Sequence, residues 1–324
     1  MAKALPKPWL DQMTLPVIAA PMFLVSGPEL VAACCKAGVI GSFPAPNARP
    51  IDVLDEWMGR LNRILDDARK NHPDQKIAPW AININVHSSY NRLEDELELI
   101  RKHKPQLVIT SLGSPRRAVD VVHEYGGLVF SDVSNLKFAH KVADAGGDGL
   151  ILVASGAGGH AGTINSFAFV DRVREFWDGY IVLAGGISTG DGILAAQVLG
   201  ADLAYMGTRF IAATESMAPE EYQQMLIEST EEDIIYTDAF SGVNANMLIP
   251  SIVRAGLDPE KLKRKESVDF KDMHSDRKAW RDIWSAGHGV GTIHQTESAS
   301  DIIQSLKKQY QNACQRMNVT NLWS

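Results

Sequence analysis

Cysteine, long apolar runs and excess positive charge are scarce in this chain. Of its 324 residues only three are cysteine, and no CxxC or Cys/His spacing is present, so neither a disulfide framework nor a metal site is expected. No apolar run is long enough to cross a membrane. The 32 basic and 39 acidic residues give a net charge of −7, which argues against nucleic acid or an anionic membrane surface as the main partner.

The remaining composition is that of an ordinary globular protein. Apolar residues make up 45% of the chain and charged residues 22%, which is enough for a large core. Residues 1–10 contain prolines and lysines but lack the apolar segment of a secretory signal. We therefore expect a cytoplasmic protein in which Cys34, Cys35 and Cys314 are reduced thiols.

Short apolar runs recur along the chain, each followed by a segment with helical spacing of apolar residues. They predict strands at Val17–Ala20, Val39–Phe43, Trp80–Val86, Leu107–Thr110, Leu128–Phe130, Gly149–Val153, Ile181–Ala184 and Leu203–Met206. Strands that alternate with helices indicate a parallel α/β sheet covered on both faces. Eight such strands close a (β/α)8 barrel of the TIM type, and an open doubly wound sheet is the alternative.

The alternation of strands and helices stops after Phe210. Residues 218–229 have a helical pattern, residues 260–278 are dense in charge, and residues 298–316 form the predicted last helix. We therefore predict a barrel made of residues 1–213 and 279–324. Residues 214–278 are predicted to be an insertion that caps the substrate site at the barrel mouth.

Two glycine-bearing turns follow the seventh and eighth predicted strands. The first is Ala184-Gly185-Gly186 and the second is Met206-Gly207-Thr208. Glycine leaves backbone N–H groups open to an anion, and the last two strands of a (β/α)8 barrel commonly hold a phosphate in this way. We predict a phosphate site here. The simpler alternative is that the glycines only shorten the loops.

The loop after the sixth strand, Ala154–Gly162, places His160 among four glycines. Imidazole titrates near neutrality, and this end of a barrel is where catalytic groups lie, so we predict a functional role for His160. The same loop half-matches a dinucleotide-binding fingerprint. That fingerprint belongs after the first strand of its fold, with an acidic residue about 20 positions later. Here it follows the sixth strand, so we reject that interpretation.

Polar residues mark the ends of earlier strands. Asn83 and Asn85 are two residues apart in the third strand and therefore point to the same side, where an amide would suit a ligand ring or a sugar-like chain. The alternative is that they are only a pair of polar residues in a barrel layer. The first strand ends in Ala20-Pro21-Met22, an apolar turn that could lie against a flat ring. Asp132 follows the fifth strand, either as a helix N-cap, which we favour slightly, or as a partner of another site residue.

Together these motifs resemble the nitronate monooxygenase family, formerly called 2-nitropropane dioxygenases. The matching segments are Ala20–Met22, Asn83, Ala157–Gly162, Ala184–Ile187, Met206–Phe210 and Trp284–Gly287. The resemblance implies FMN in a TIM-type barrel, with its phosphate on Gly185, Gly186, Gly207 and Thr208. It implies that Met22 and Asn83 line the ring and ribityl region. Further cofactor-binding residues expected on this basis are Ala20, Asp132, Gly158, Gly159, Ala184, Met206, Trp284 and Ser285.

The resemblance also implies a reaction. FMN would oxidise an alkyl nitronate with O2, yielding a carbonyl compound and nitrite, and His160 would act as the base for neutral nitroalkanes and position the anion. Related FMN enzymes that use NAD(P)H, of the quinone reductase or enoyl-acyl-carrier-protein reductase type, share these motifs and are the first alternative. A non-catalytic FMN-binding or phosphate-binding protein is the second. Either way we expect small-molecule partners only, with the chain acting alone or as a homodimer.

Overall fold

The computed structural model describes residues 4–264 and 282–319. Part of the charge-dense run at 260–278, and with it the end of the proposed insertion, therefore lies outside the described residues, as do residues 1–3, 279–281 and 320–324 of the predicted barrel.

Eight parallel strands form a closed barrel in the order β1-β2-β3-β4-β5-β6-β8-β9. They are β1 Val17–Ala19, β2 Ile40–Pro44, β3 Trp80–Asn85, β4 Leu107–Ser111, β5 Leu128–Val133, β6 Gly149–Val153, β8 Tyr180–Ala184 and β9 Leu203–Met206. Closure occurs at β1, where Ile18 is paired with Ile40 of β2 on one side and Tyr205 of β9 on the other. This confirms the predicted α/β barrel and excludes the open sheet.

Helices lie outside the barrel strands, and others belong to the predicted insertion and the end of the described chain. They are α1 Lys7–Gln12, α2 Pro28–Lys36, α3 Ile51–Asn71, α4 Leu93–His103, α5 Arg116–His123, α6 Leu136–Asp144, α7 Ser166–Arg174, α8 Gly190–Leu199, α9 Thr208–Ile211, α10 Glu220–Glu228, α11 Ile249–Arg254 and α12 Ala299–Val319. In α3, Leu54, Met58, Leu61 and Leu65 are fully buried, and their spacing of three and four residues gives the helix one continuous apolar face. Within the described ranges, no helix has the length and apolar character needed to cross a membrane.

The barrel interior is filled with apolar side chains from alternate strand positions. Ile18, Ile109, Phe130, Ile151 and Val182 belong to one fully buried cluster. Because strand side chains alternate with a period of two, the residues two positions further along these strands form the next inward layer. That layer lies at the carboxyl ends of the strands, where barrel enzymes place their active sites.

A second, three-stranded sheet joins the predicted insertion to the His160 loop. It consists of β10 Ile234–Thr237, β11 Ala245–Leu248 and β7 Gly159–His160, in the order β10-β11-β7. The pairs are antiparallel, and Ala245 lies opposite His160. The insertion thus contributes a strand beside the histidine, although its capping role remains a prediction.

Candidate functional site

The His160 loop packs closely against the second glycine turn. Gly287 donates its backbone N–H to Thr208 Oγ1 at 2.9 Å. A Cβ on Gly158 would lie 2.7 Å from the Gly287 nitrogen and 3.2 Å from Thr208 Oγ1. Since real Cβ atoms do not approach backbone this closely, only glycine fits at position 158. The predicted segments 157–162, 206–210 and 284–287 therefore meet at one end of the barrel.

The first glycine turn also requires its glycines. Gly185 and Gly186 have φ of +126° and +69°, values that side-chain-bearing residues rarely adopt. A Cβ on Gly185 would in addition lie 2.6 Å from the Ser155 carbonyl oxygen. Gly207, in the second turn, has more space around it than Gly185. A Cβ built on Gly207 would have Met22 Sδ as its nearest neighbour, at 3.6 Å. This arrangement of open backbone fits an anion such as a phosphate.

The end of β1 is joined to β9 and is held by an asparagine that the sequence did not single out. Ala20 donates its N–H to the Met206 carbonyl oxygen at 2.9 Å. Asn47 Nδ2 donates to the Met22 carbonyl at 3.0 Å, and its Oδ1 accepts from the Leu24 N–H at 2.9 Å. The amide therefore fixes the backbone around Met22, which places the Met22 side chain beside Gly207.

The inward layer at the top of the barrel contains a row of hydrogen-bonded polar groups. Asn83 Nδ2 donates to Ser111 Oγ at 2.7 Å, and Ser111 Oγ donates to Asp132 Oδ2 at 2.6 Å. Burial raises the pKa of Asp132 to about 6, although the hydrogen bond from Ser111 lowers it. Across the barrel, burial and the nearby Asp132 raise the pKa of Tyr205.

Three buried polar atoms in this layer have no hydrogen-bond partner within residues 4–264 and 282–319. They are Asp132 Oδ1, the Tyr205 hydroxyl and Asn85 Nδ2. Buried polar groups are almost always hydrogen-bonded in folded proteins. Unpaired atoms at the catalytic end of a barrel therefore fit a bound polar ligand, and a ring with carbonyl and nitrogen acceptors and an N–H donor matches them.

The structure corrects one sequence-based interpretation of Asp132. The N-cap of α6 is Asn135, whose side chain accepts the Phe138 N–H at 3.0 Å. Asp132 lies inside β5, which extends to Val133. The predicted strand ended too early, at Phe130, because serine and aspartate are uncommon in strands.

His160 is exposed to solvent and is oriented by the insertion. Its Nε2 lies 3.1 Å from Ser241 Oγ, and the Ser241 hydroxyl donates to the Val243 carbonyl at 3.0 Å. Since a hydroxyl has one proton, Ser241 accepts from Nε2–H, and the tautomer assigned by this network has its lone pair on Nδ1.

Trp284 and Ser285 belong to the segment that reaches the His160 loop, but their contacts differ. The Trp284 ring is buried, stacked on Tyr222 at 4.7 Å, with the Arg254 guanidinium 3.5 Å above its other face. The Ser285 carbonyl accepts a hydrogen bond from the Tyr222 hydroxyl. Trp284 therefore anchors this segment to α10 and α11, whereas Ser285 Oγ would lie 3.9 Å from a Cβ on Gly159.

Most of the predicted site residues lie at this end of the barrel, and four further contributors were missed. Ser111 and Tyr205 lie two residues after the inward-facing Ile109 and Leu203, so strand alternation could have identified them. Asn47 and Ser241 depend on loop paths and had no sequence signal. In the described part of the chain, no group of three or more His, Cys, Asp or Glu side chains could hold a metal ion.

Comparison with known proteins identifies the family. The nitronate monooxygenase family model matches residues 8–309. A nitronate monooxygenase of Paraburkholderia phytofirmans is 31% identical over 282 residues, covering 75% of this chain and 76% of the relative.

Two solved structures share the fold. A nitroalkane oxidase of Streptomyces ansochromogenes has a TM-score of 0.80 at 23% identity, covering 96% of this chain and 100% of that one. FabK of Thermotoga maritima has a TM-score of 0.74 at 23% identity, covering 95% and 96%. With its barrel, its glycine turns and its histidine loop, the chain belongs to the nitronate monooxygenase family and is a flavin-dependent oxidoreductase.

Proposed function

We propose that this protein is an FMN-dependent enzyme that oxidises alkyl nitronates with O2 to a carbonyl compound and nitrite. The observation that carries this proposal is the contact of the His160 loop with the second glycine turn, through Gly158, Gly287 and Thr208. It brings a titratable imidazole and a backbone cradle for a phosphate to the same end of the barrel. A site that only held a phosphate would need no such imidazole.

The backbone groups of the two turns would hold the phosphate. Gly185, Gly186 and Gly207 leave the main chain uncovered, and Thr208 offers a hydroxyl besides its backbone N–H. The polar side chains in the inward layer at the top of the barrel would bind the flavin ring. In this layer Asn83 is hydrogen-bonded to Ser111, and Met22 packs nearby beside Gly207. When bound, FMN supplies the redox chemistry, taking electrons from the nitronate and passing them to O2.

His160 would act on the substrate in two ways. Held by Ser241 at Nε2, the imidazole can accept a proton from the carbon next to a nitro group, which converts a neutral nitroalkane into the nitronate. The resulting imidazolium then lies beside the nitronate anion and holds it by charge. A preformed nitronate needs only the second of these roles.

The NAD(P)H-dependent reductases and a non-catalytic flavin protein would share the cradle but not the reaction. The distinguishing experiment uses the purified protein, reconstituted with FMN and mixed in air with propyl nitronate. We expect a yellow protein that consumes O2 and releases nitrite, with no acceleration by NADH or NADPH. A protein that takes up no FMN, or one that binds FMN but oxidises only NADH or NADPH, would refute the proposal.

A further inference from the structure

The Asp132 carboxyl and the Tyr205 hydroxyl each contain a polar atom without a hydrogen-bond partner among the described residues, in the inward layer at the top of the barrel. Both atoms are buried, and neither has a hydrogen-bond partner in the described part of the chain. They belong to β5 and β9, and Tyr205 packs on the apolar barrel interior immediately below. Their hydrogen-bonding capacity is therefore not used by the described part of the protein.

The direction of the hydrogen bonds determines which Asp132 oxygen can carry a proton. The Asn83 amide nitrogen can only donate, so it occupies a lone pair of Ser111 Oγ. Ser111 then directs its single proton to Asp132 Oδ2. With Ser111 donating to Oδ2, a neutral carboxyl accepts best through Oδ2 as its carbonyl oxygen, so its proton is placed on Oδ1, the oxygen without a partner among the described residues. In its neutral form Asp132 is thus a hydrogen-bond donor facing the ligand space.

The surroundings of Asp132 favour that neutral form. The neighbouring strands contribute the Ser111 hydroxyl from β4 and the apolar Ile151 and Val153 from β6, and the titratable group across the barrel is Tyr205. Among the described residues no Lys, Arg or His forms an ion pair with Asp132. Burial of a carboxyl without a neighbouring cation favours the uncharged acid.

We propose that Asp132 binds the flavin ring as a neutral carboxylic acid, donating its Oδ1–H to an acceptor of the ring, with the Tyr205 hydroxyl as a second donor. An isoalloxazine offers carbonyl oxygens and ring nitrogens as acceptors, which suits two neutral donors better than a carboxylate. This inference rests on the proposed binding of FMN. It assigns Asp132 a protonation state that is coupled to flavin binding.

The test measures FMN affinity and proton uptake together. Affinity is followed by quenching of FMN fluorescence from pH 5 to 8, and proton uptake by titration calorimetry in buffers of different ionisation enthalpy. The FMN phosphate itself titrates near pH 6, so the wild type is compared with Asp132→Asn, which shares that contribution. Asp120→Asn, on the exposed side of α5, controls for removal of a negative charge elsewhere.

We expect wild-type affinity to fall, relative to Asp132→Asn, by about tenfold per pH unit above about pH 6. At pH 7 the wild type should take up close to one proton more per FMN than Asp132→Asn, whose amide donates without one. Asp120→Asn should behave as the wild type. Tyr205→Phe should weaken binding but retain the proton uptake, because the carboxyl is unchanged.

Equal pH profiles and equal proton uptake in the wild type and Asp132→Asn would overturn the inference. If Asp132→Asn does not fold, proton uptake is measured for the wild type alone as it binds riboflavin, which has no phosphate that titrates. Uptake of about one proton at pH 7 supports the inference, and no uptake contradicts it. A wild type that binds no flavin at all would instead refute the proposed function, so the two failures are distinguishable.

Discussion

His160 Nε2 lies 3.1 Å from the hydroxyl oxygen of Ser241, a residue 81 positions further along the chain. Ser241 is buried, and its hydroxyl is fixed by the Val243 carbonyl. Ser241, which belongs to the predicted insertion, therefore contributes to the orientation of the histidine. Variation around Ser241 should change how His160 meets the proposed substrate while the two glycine turns stay the same.

Replacing His160 separates its two proposed roles. His160→Asn keeps a polar side chain but has no basic nitrogen, so oxidation of a neutral nitroalkane should slow by about 100-fold or more. Oxidation of preformed propyl nitronate should fall by less than about tenfold, since only charge stabilisation is lost. Steady-state O2 uptake with each substrate provides the measurement.

Ser241→Ala is the companion variant for His160. It keeps the imidazole but removes the acceptor of Nε2–H, so we expect a loss several-fold smaller than that of His160→Asn, again greater for the nitroalkane. Equal losses for both substrates in His160→Asn would contradict a role for the histidine as base.

The two glycine turns should respond differently to alanine. In Gly207→Ala the nearest atom to the new Cβ is Met22 Sδ at 3.6 Å, an ordinary contact, so the free protein should melt within about 2 °C of the wild type. Its FMN affinity should fall by about tenfold, because the methyl group covers the backbone proposed to face the phosphate. Fluorescence titration with FMN measures the affinity.

Gly185→Ala provides the contrast within the same cradle. Its positive φ and the Ser155 carbonyl at 2.6 Å from the new Cβ should cost at least about 1 kcal/mol of folding free energy and lower the melting temperature of the flavin-free protein. If Gly207→Ala bound FMN as well as the wild type does, the second turn would not hold the phosphate.

Thr208 links the second turn to the segment at 284–287. Thr208→Val keeps the shape but removes the acceptor of the Gly287 N–H, so we expect about 1 kcal/mol of lost stability and about fivefold weaker FMN binding. Thr208→Ser retains the hydroxyl and should recover most of both. Thermal unfolding and FMN titration of the pair test this, and equal behaviour of the valine and serine variants would show that the hydroxyl has no role.

Glu96, which lies away from the candidate site, makes the free energy of unfolding depend on pH. It is fully buried, accepts the Tyr90 hydroxyl at 2.6 Å, and has Arg92 Nε at 3.5 Å. Burial raises its pKa to about 7. The folded state therefore keeps a proton that the unfolded chain releases above its own pKa of about 4.3. Stability from this group is complete at low pH and is lost as the pH rises from about 4.3 to 7.

Glu96→Gln should remove that pH dependence. Near pH 8 the variant should exceed the wild type in unfolding free energy by ~3 kcal/mol, and the difference should largely disappear toward pH 4.5. Chemical denaturation at a series of pH values measures the difference. A constant difference across this range would show that Glu96 is ionised in the folded protein.

Local sequence patterns were sufficient to predict the barrel and the positions of much of the candidate site. The eight strands have apolar runs of the right length, and Gly185, Gly186 and Gly207 stand directly after two of them, so their place at the strand ends follows from counting. His160 could be singled out from the sequence because it is the one histidine in a glycine-rich loop that follows a predicted strand.

The other contacts of the candidate site join residues that are far apart in the sequence, and a local sequence pattern does not predict such contacts. Ser241 meets His160 only because β11 pairs with β7, a contact between remote segments. The helix-cap interpretation of Asp132 was wrong because its polarity disguised a strand position, and its hydrogen-bond partner Ser111 comes from the neighbouring strand. Such contacts are set by barrel closure and by the path of the insertion.

The proposed reaction requires a bound flavin to take electrons from a nitronate. Anaerobic mixing of the FMN-loaded protein with propyl nitronate, followed at the visible absorbance of oxidised flavin, tests it most directly. We predict rapid loss of that absorbance with propyl nitronate and none with NADH or NADPH. Rapid bleaching by NADH or NADPH with no response to propyl nitronate would contradict the claim and assign the protein to the reductases.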